Sequence, residues 1–181
     1  EVNILFVGRL DKRKGIFYLL KAFDDISKSY SCRLLIAGDG PEKKAAEQWV
    51  SENKAKNIQF LGYVENDRLP DIYRSADIFC SPATQGESFG VVLLEAMASG
   101  VPVVAFANRG YKEVMGDRVL GEFLVPPGNS QELMLKLKKL VQDENLRKKL
   151  KRNGLDKVQQ YSWENIGPKI LDIYTRVHNK P

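Results

Sequence analysis

The sequence carries a single histidine, His178, close to its end, and only two cysteines, Cys32 and Cys80. With one histidine and no Asp-x-Asp pair it offers no cluster of metal-ligating residues, so no metal is expected and His178 reads as a surface residue. Cys80 falls inside an apolar run of strand type and Cys32 at the edge of one. That marks them as small buried residues rather than disulfide partners, and a reducing, cytoplasmic setting is the expectation that follows. No apolar run is long enough to span a bilayer. The net charge of +5 is moderate, and there is neither a block of like charge nor an interleaving of basic and aromatic residues. Nucleic acid is therefore not expected as a partner. No internal repeat, low-complexity tract or linker divides the chain, so residues 1–181 are expected to form one domain with a substantial core.

What the sequence does contain is a rhythm of short apolar runs, all but one closed by glycine or proline. Runs at 2–7, 33–37, 58–61, 77–81, 101–106 and 121–125 read as strands. They alternate with helical stretches at about 15–29, after Pro41 to about 53 and around 69–73, at the glutamate-bearing segment described next, and from 130 onward. This alternation implies βαβ units and a Rossmann-like, doubly wound, mostly parallel six-stranded sheet with helices on both faces. A chain that opens directly in a core strand is expected to follow another domain. In such sheets ligands lie beyond the carboxyl ends of the strands, which is where the chemically interesting residues fall here.

The most informative stretch runs from Gly86 to Gly100. From Gly90 to Ser99 it contains no helix breaker and almost nothing polar, which predicts a helix buried on nearly all sides, stopped by Gly100 and Pro102. Glu95 stands in the middle of it. A buried carboxylate without donors is costly, so it needs partners from the protein or from a ligand. Glu87 lies eight positions earlier, ahead of the helix, where free amides and the positive dipole end favour an anion. At the helical rise the two carboxylates are at most about 12 Å apart, a span suited to a ligand of hydroxyls, phosphates and hydroxyls in series. After the first strand, Gly8-Arg9-Leu10-Asp11-Lys12-Arg13-Lys14-Gly15 combines two glycines that admit close backbone approach with a guanidinium fork and a point charge. That set suits a diphosphate, although alone it could also be a charged surface turn.

Glu87 and Glu95, in the setting E-S-F-G-x-x-x-x-E-A-M-A-x-G-x-P-V, resemble the signature of retaining glycosyltransferases of the GT-B fold, group-1 or GT4 type. The resemblance covers essentially the whole chain, but only the C-terminal, nucleotide-sugar-binding half of such enzymes. It implies that Arg9 and Lys14 hold the donor diphosphate together with the amides of Ser88, Phe89, Gly90 and Val91. By the same resemblance Glu95 takes the ribose hydroxyls, and Glu87 stands at the donor-sugar end beside the reacting carbon. Gly62 and Val64 would border the nucleotide base, and Gly8, Gly38 and Gly40 would shape the loops around the donor. The plain alternatives are an ion pair of Glu95 with Arg9, Lys14 or another base, and a helix-terminal charge at Glu87.

The partners implied are a nucleotide-sugar donor and an N-terminal domain holding the acceptor, with no cofactor and no metal, because cationic side chains serve the leaving group. Without that domain the chain is expected to bind nucleotide and turn over poorly or not at all. A GT-B epimerase, a sugar synthase and a non-catalytic binding subunit are the competing functions. A glycoside hydrolase is disfavoured because it has no use for a cationic diphosphate cradle. Gly38-Asp39-Gly40-Pro41 fails the dinucleotide fingerprint, since Lys43 stands where its third glycine belongs.

The sequence departs from the family at 108–113, where Tyr111 and Lys112 replace a smaller, glycine-rich loop. No donor-sugar contact is carried over from that segment, and Arg109 and Lys112 read as facing water, the alternative being contact with an anionic acceptor. Between 131 and 160 nine lysines and arginines interleave with Leu133, Leu137, Leu140, Leu146 and Leu150. This reads as a solvated basic face over a packed leucine face, the alternative being peripheral contact with an anionic membrane. Residues 162–179 resemble the family's closing helix, which returns to the partner domain.

Overall fold

Ile4, Leu5 and Phe6 are consecutive and all buried, so the first strand, β1 (Val2–Val7), has no solvent face and is covered on both sides. A computed structural model of the chain, describing residues 1–178, places it near the middle of a six-stranded sheet. After β1 come α1 (Ile16–Ser27), β2 (Cys32–Ala37), α2 (Lys43–Glu52), β3 (Ile58–Gly62) and α3 (Leu69–Arg74). The second half runs β4 (Ile78–Ser81), α4 (Val91–Ala98), β5 (Val103–Phe106), α5 (Arg109–Met115) and β6 (Leu124–Val125). Three helices finish the described residues: α6 (Ser130–Gln142), α7 (Glu144–Gln159) and α8 (Trp163–His178).

Every strand pairing is parallel, in the order β3-β2-β1-β4-β5-β6. The order reverses between β1 and β4. Right-handed crossovers then send α1 and α2 to one face and α4 and α5 to the other, while α6 packs on α1 and α7 on α4. The expected Rossmann-like sheet is therefore present, and wholly parallel. Among the described residues no helix is long and apolar enough to cross a membrane.

Three expectations need correction. The fifth strand begins at Val103, not at 101; Pro102, with no N–H to give a ladder, lies just ahead of it. The sixth is only Leu124–Val125, because Leu120–Phe123 close into a 3-10 turn that buries Leu120 and Phe123. Residues 109–115, where no helix is expected, form α5: Asn108 caps it by accepting from the Tyr111 amide at 3.0 Å, and Tyr111 is buried.

Leu133, Leu137, Leu140 and Leu150 are buried and Leu146 is partly so, which accounts for the leucine face. The outer lysines are not all free in water, for Lys136 and Lys139 lie over the Phe123 ring at 5.7 and 5.9 Å. By contrast α8 buries no residue, and Trp163, Leu171 and Tyr174 on it are all exposed. The closing helix expected over 162–179 is thus described to His178, which is exposed, and residue 179 lies outside the described residues.

Cys32 on β2 and Cys80 on β4 are buried free thiols, with β1 between their strands. Burial, with a smaller contribution from Glu1, pushes Cys32 up to about 11, and burial pushes Cys80 well above the usual thiol range. Because the thiolate is the reactive form, neither should react with an aromatic disulfide reagent at pH 8 in the native protein. Both should titrate in guanidinium; rapid labelling before unfolding would contradict the burial.

Candidate functional site

The reversal of strand order leaves a crevice at the carboxyl ends of β1 and β4, and the loops after these strands are tied to each other. After β1, Leu10 is buried as an anchor. Asp11 then caps a 3-10 turn at Lys12–Lys14, accepting from the amides of Arg13 at 3.0 Å and Lys14 at 3.3 Å. Burial alone would raise the Asp11 carboxyl. The hydrogen bond and charge of Arg13, with the two amides, outweigh it and hold the group below its ordinary value. Across the crevice the Thr84 amide donates to the Arg13 carbonyl at 2.8 Å. These contacts bring Lys14 Nζ to 2.6 Å from Glu87 Oε1, with the two side chains only 20% and 14% exposed.

The loop carrying Glu87 is braced from behind by α5. Asn108 Nδ2 donates to the Ala83 carbonyl at 2.9 Å, and the Tyr111 hydroxyl lies 2.7 Å from Ser81 Oγ, both groups buried. A methyl group at Gly110 would stand 2.4 Å from the Glu87 carbonyl oxygen, so glycine is what lets α5 approach this loop. Neither Asn108 nor Tyr111 was a sequence-level candidate. Asparagine directly ahead of a short run ending in Val114-Met115 is a cap signal that could have found the helix.

Gly90 forms the N-cap of α4, with φ at +109°. The amides of Ser88, Phe89, Gly90 and Val91 thus belong to the entry of that helix, and Phe89 packs edge-on against Tyr161 at 5.4 Å. The expectation of a helix buried on nearly all sides is wrong. Leu93, Ala96 and Met97 face the core, but Val91 is 59% exposed, and Glu95 and Ala98 are exposed as well. Nor does Glu95 pair with Arg9 or Lys14. It accepts from the Tyr73 hydroxyl at 2.9 Å, and Tyr73 is a buried residue of α3 that was not among the candidate site residues.

Two clefts flank these groups. One, of about 440 Å³, is lined by Gly8, Arg9, Gly38, Gly40, Tyr63 and Val64 among others, and so gathers the loops after β1, β2 and β3. The other, of about 620 Å³, is lined by Pro70, Tyr73, Glu95 and Ser99 and shares Asn66 and Leu69 with the first. Arg9 is exposed at the mouth. Gly62 ends β3 and its carbonyl accepts from the Gly38 amide at 2.7 Å. Arg109 and Lys112 are exposed, as expected. Among the described residues no three His, Cys, Asp or Glu side chains are grouped to hold a metal ion.

This arrangement defines an open α/β domain whose ligand crevice lies at the topological switch point, with a cation and two carboxylates along it. Residues 1–157 match the family model of the group 1 glycosyl transferases, and the chain belongs to that family. It is 37% identical over 177 residues to the phosphatidyl-myo-inositol mannosyltransferase of Mycobacterium leprae, covering 97% of this chain and 46% of that protein. An uncharacterized glycosyltransferase of Methanocaldococcus jannaschii is 35% identical over 176 residues, with 96% and 45% covered. The chain thus spans somewhat under half the length of these relatives.

Among solved structures, the C-terminal domain of a group 1 family glycosyl transferase from Francisella tularensis superposes with a TM-score of 0.80 at 30% identity, covering 88% of this chain and 85% of that one. HepE of Anabaena, solved with UDP and glucose, shares the fold with a TM-score of 0.86 at 24% identity, over 97% of this chain and 48% of that one. The fold is that of the C-terminal half of GT-B glycosyltransferases.

Proposed function

We propose that this chain is the donor-binding domain of a retaining glycosyltransferase that uses a nucleoside-diphosphate sugar. The observation that carries the reading is the meeting of Lys14 and Glu87 at 2.6 Å from loops after two strands that flank the switch point. A cation and a carboxylate brought together in a crevice, rather than on an open surface, form a site that a phosphate and a polar sugar could divide between them. Arg9, Lys14 and the amides of Ser88 to Val91 take the diphosphate, Glu95 the ribose, and the backbone near Gly62 and Val64 the base. Gly8, Gly38 and Gly40 let backbone come close to the nucleotide.

As the bond between the anomeric carbon and the donor oxygen breaks, its electron pair goes to the β-phosphate, and Lys14 and the helix entry stabilise that charge without a metal. Glu87, paired with Lys14, is assigned to the donor sugar. The exposed apolar residues of α8, with the length of the relatives, support a second domain of the same polypeptide as the element that covers this helix and holds the acceptor. Titration calorimetry with UDP, GDP and ADP tests the donor reading. One of the three should bind at micromolar to millimolar concentration in competition with its sugar conjugate. Binding of none would favour a non-catalytic role for the domain.

A further inference from the structure

Tyr73 is 1% exposed, with its ring edge-on to Phe79 at 5.5 Å between centroids. Its hydroxyl reaches out of the core and donates to Glu95 Oε2 at 2.9 Å. Glu95 itself stands in the open on the outer side of α4. There a glutamate with three rotatable side-chain bonds samples several rotamers unless something holds it, and ordering it on ligand binding costs affinity. Among the described residues Tyr73 is the single hydrogen-bond donor to this carboxylate. One oxygen is engaged, and acceptor capacity remains for a ligand. Burial, and then the Glu95 charge, raise the phenol above its ordinary range, so it stays a donor at physiological pH.

We propose that Tyr73 is a positioning residue for ribose recognition: its 2.9 Å hydrogen bond fixes the Glu95 carboxylate so that it accepts from the ribose hydroxyls and selects ribonucleotides over deoxyribonucleotides. The proposal rests on the assignment of Glu95 to the ribose made above. A carboxylate accepts and never donates, so it matches hydroxyl donors, and a sugar lacking one of them leaves an acceptor unpaired. A free carboxylate could swing away from that loss. A tethered one cannot, and it therefore discriminates more sharply.

The test is calorimetric titration with UDP and 2′-deoxy-UDP, and with the corresponding guanosine and adenosine pairs in parallel. The wild-type chain should prefer the ribose form by about tenfold or more, the effect of one lost hydrogen bond to a charged group. Tyr73→Phe keeps the ring against Phe79 and should cut that preference to about twofold, chiefly by weakening the ribose form. Glu95→Ala should abolish the preference, and in that background Tyr73→Phe should change nothing. Equal weakening of both forms by Tyr73→Phe, or an effect that persists beside Glu95→Ala, overturns the positioning role. A wild type that binds a diphosphate without preferring ribose, or whose preference survives Glu95→Ala, overturns the ribose assignment itself, and the role of Tyr73 with it. If no diphosphate binds, the donor reading fails first and takes both with it.

Discussion

Lys14→Ala should weaken binding of the nucleoside diphosphate about 10- to 100-fold, the scale of a lost charge-assisted hydrogen bond, whereas Glu87→Gln should tighten it. Both effects come from one contact. In the unliganded chain the Lys14 ammonium is 2.6 Å from Glu87 Oε1, so a diphosphate has to compete with a carboxylate for it. Removing Lys14 takes a cation from the phosphates and also leaves the Glu87 charge, 14% exposed, unpaired beside them. Replacing Glu87 by glutamine keeps its size and frees the ammonium, a gain of about three- to tenfold.

That gain should be larger for the free diphosphate than for the sugar conjugate, because the terminal phosphate loses its ester and gains up to about one more negative charge at neutral pH. The carboxylate would thus help to expel the product. Titration of both single variants and the double variant forms a cycle whose coupling term isolates the pair. Added salt should weaken binding to the wild type. If Glu87→Gln weakened the diphosphate as strongly as Lys14→Ala, the two groups would not be in competition, and Glu87 would instead be supporting phosphate binding.

The ease with which parts of this fold are read from sequence follows the range of the interactions that make them. β1, β2 and β4 each carry a short apolar run, Ile4–Phe6, Leu34–Ala37 and Ile78–Cys80, because both faces of a parallel sheet are covered there, and such runs close to glycine or proline are visible without any tertiary knowledge. The helix α1 shows its period in Ile16, Leu19, Leu20, Phe23 and Ile26, all buried. The helix α5 has no such signature. It is seven residues long, contains Gly110, and is held by an asparagine cap and by a tyrosine whose partner, Ser81, is 30 positions away. The outward face of α4 was misread for a related reason: Val91 to Leu94 are all apolar, so nothing in the run tells the covered side from the open one.

The site itself divides in the same way. The motif from Glu87 to Glu95 placed both carboxylates in the crevice, and the loop after β1 placed Lys14 there. What the sequence could not show was the wiring. Lys14 meets Glu87 across 73 positions and Tyr73 meets Glu95 across 22, so the plausible ion pair of Glu95 with Lys14 was formed by the other glutamate. Residue type predicted which groups have to find partners, and topology decided which partners they found.

The backbone of the same crevice leads to the second large effect: Gly38→Ala should cost at least about 3 kcal/mol of stability and abolish nucleotide binding with it. Gly38 has φ at +145°, and a methyl group there would lie 1.9 Å from the Gly8 carbonyl oxygen and 2.9 Å from the carbon bearing it. Those are backbone atoms, so relief requires moving the loop after β1 rather than turning a side chain. That loop has little freedom, since the Gly8 amide donates to the Ala37 carbonyl at 3.0 Å and the Gly38 amide to Gly62 at 2.7 Å. Urea denaturation should place the midpoint about 1–2 M below wild type, given typical slopes for chains of this size.

Gly154→Ala is the matched control. There the nearest atom is the Met97 Cγ at 3.2 Å, on a flexible side chain, and alanine's gain in helix propensity of about 1 kcal/mol offsets the crowding. Its stability should therefore stay within about 1 kcal/mol of wild type. If Gly38→Ala proved as mild as this control, the loops after β1 and β2 would not be in the close apposition described. The base cleft they form with the loop after β3 would then lack the fixed backbone that the proposed donor site needs.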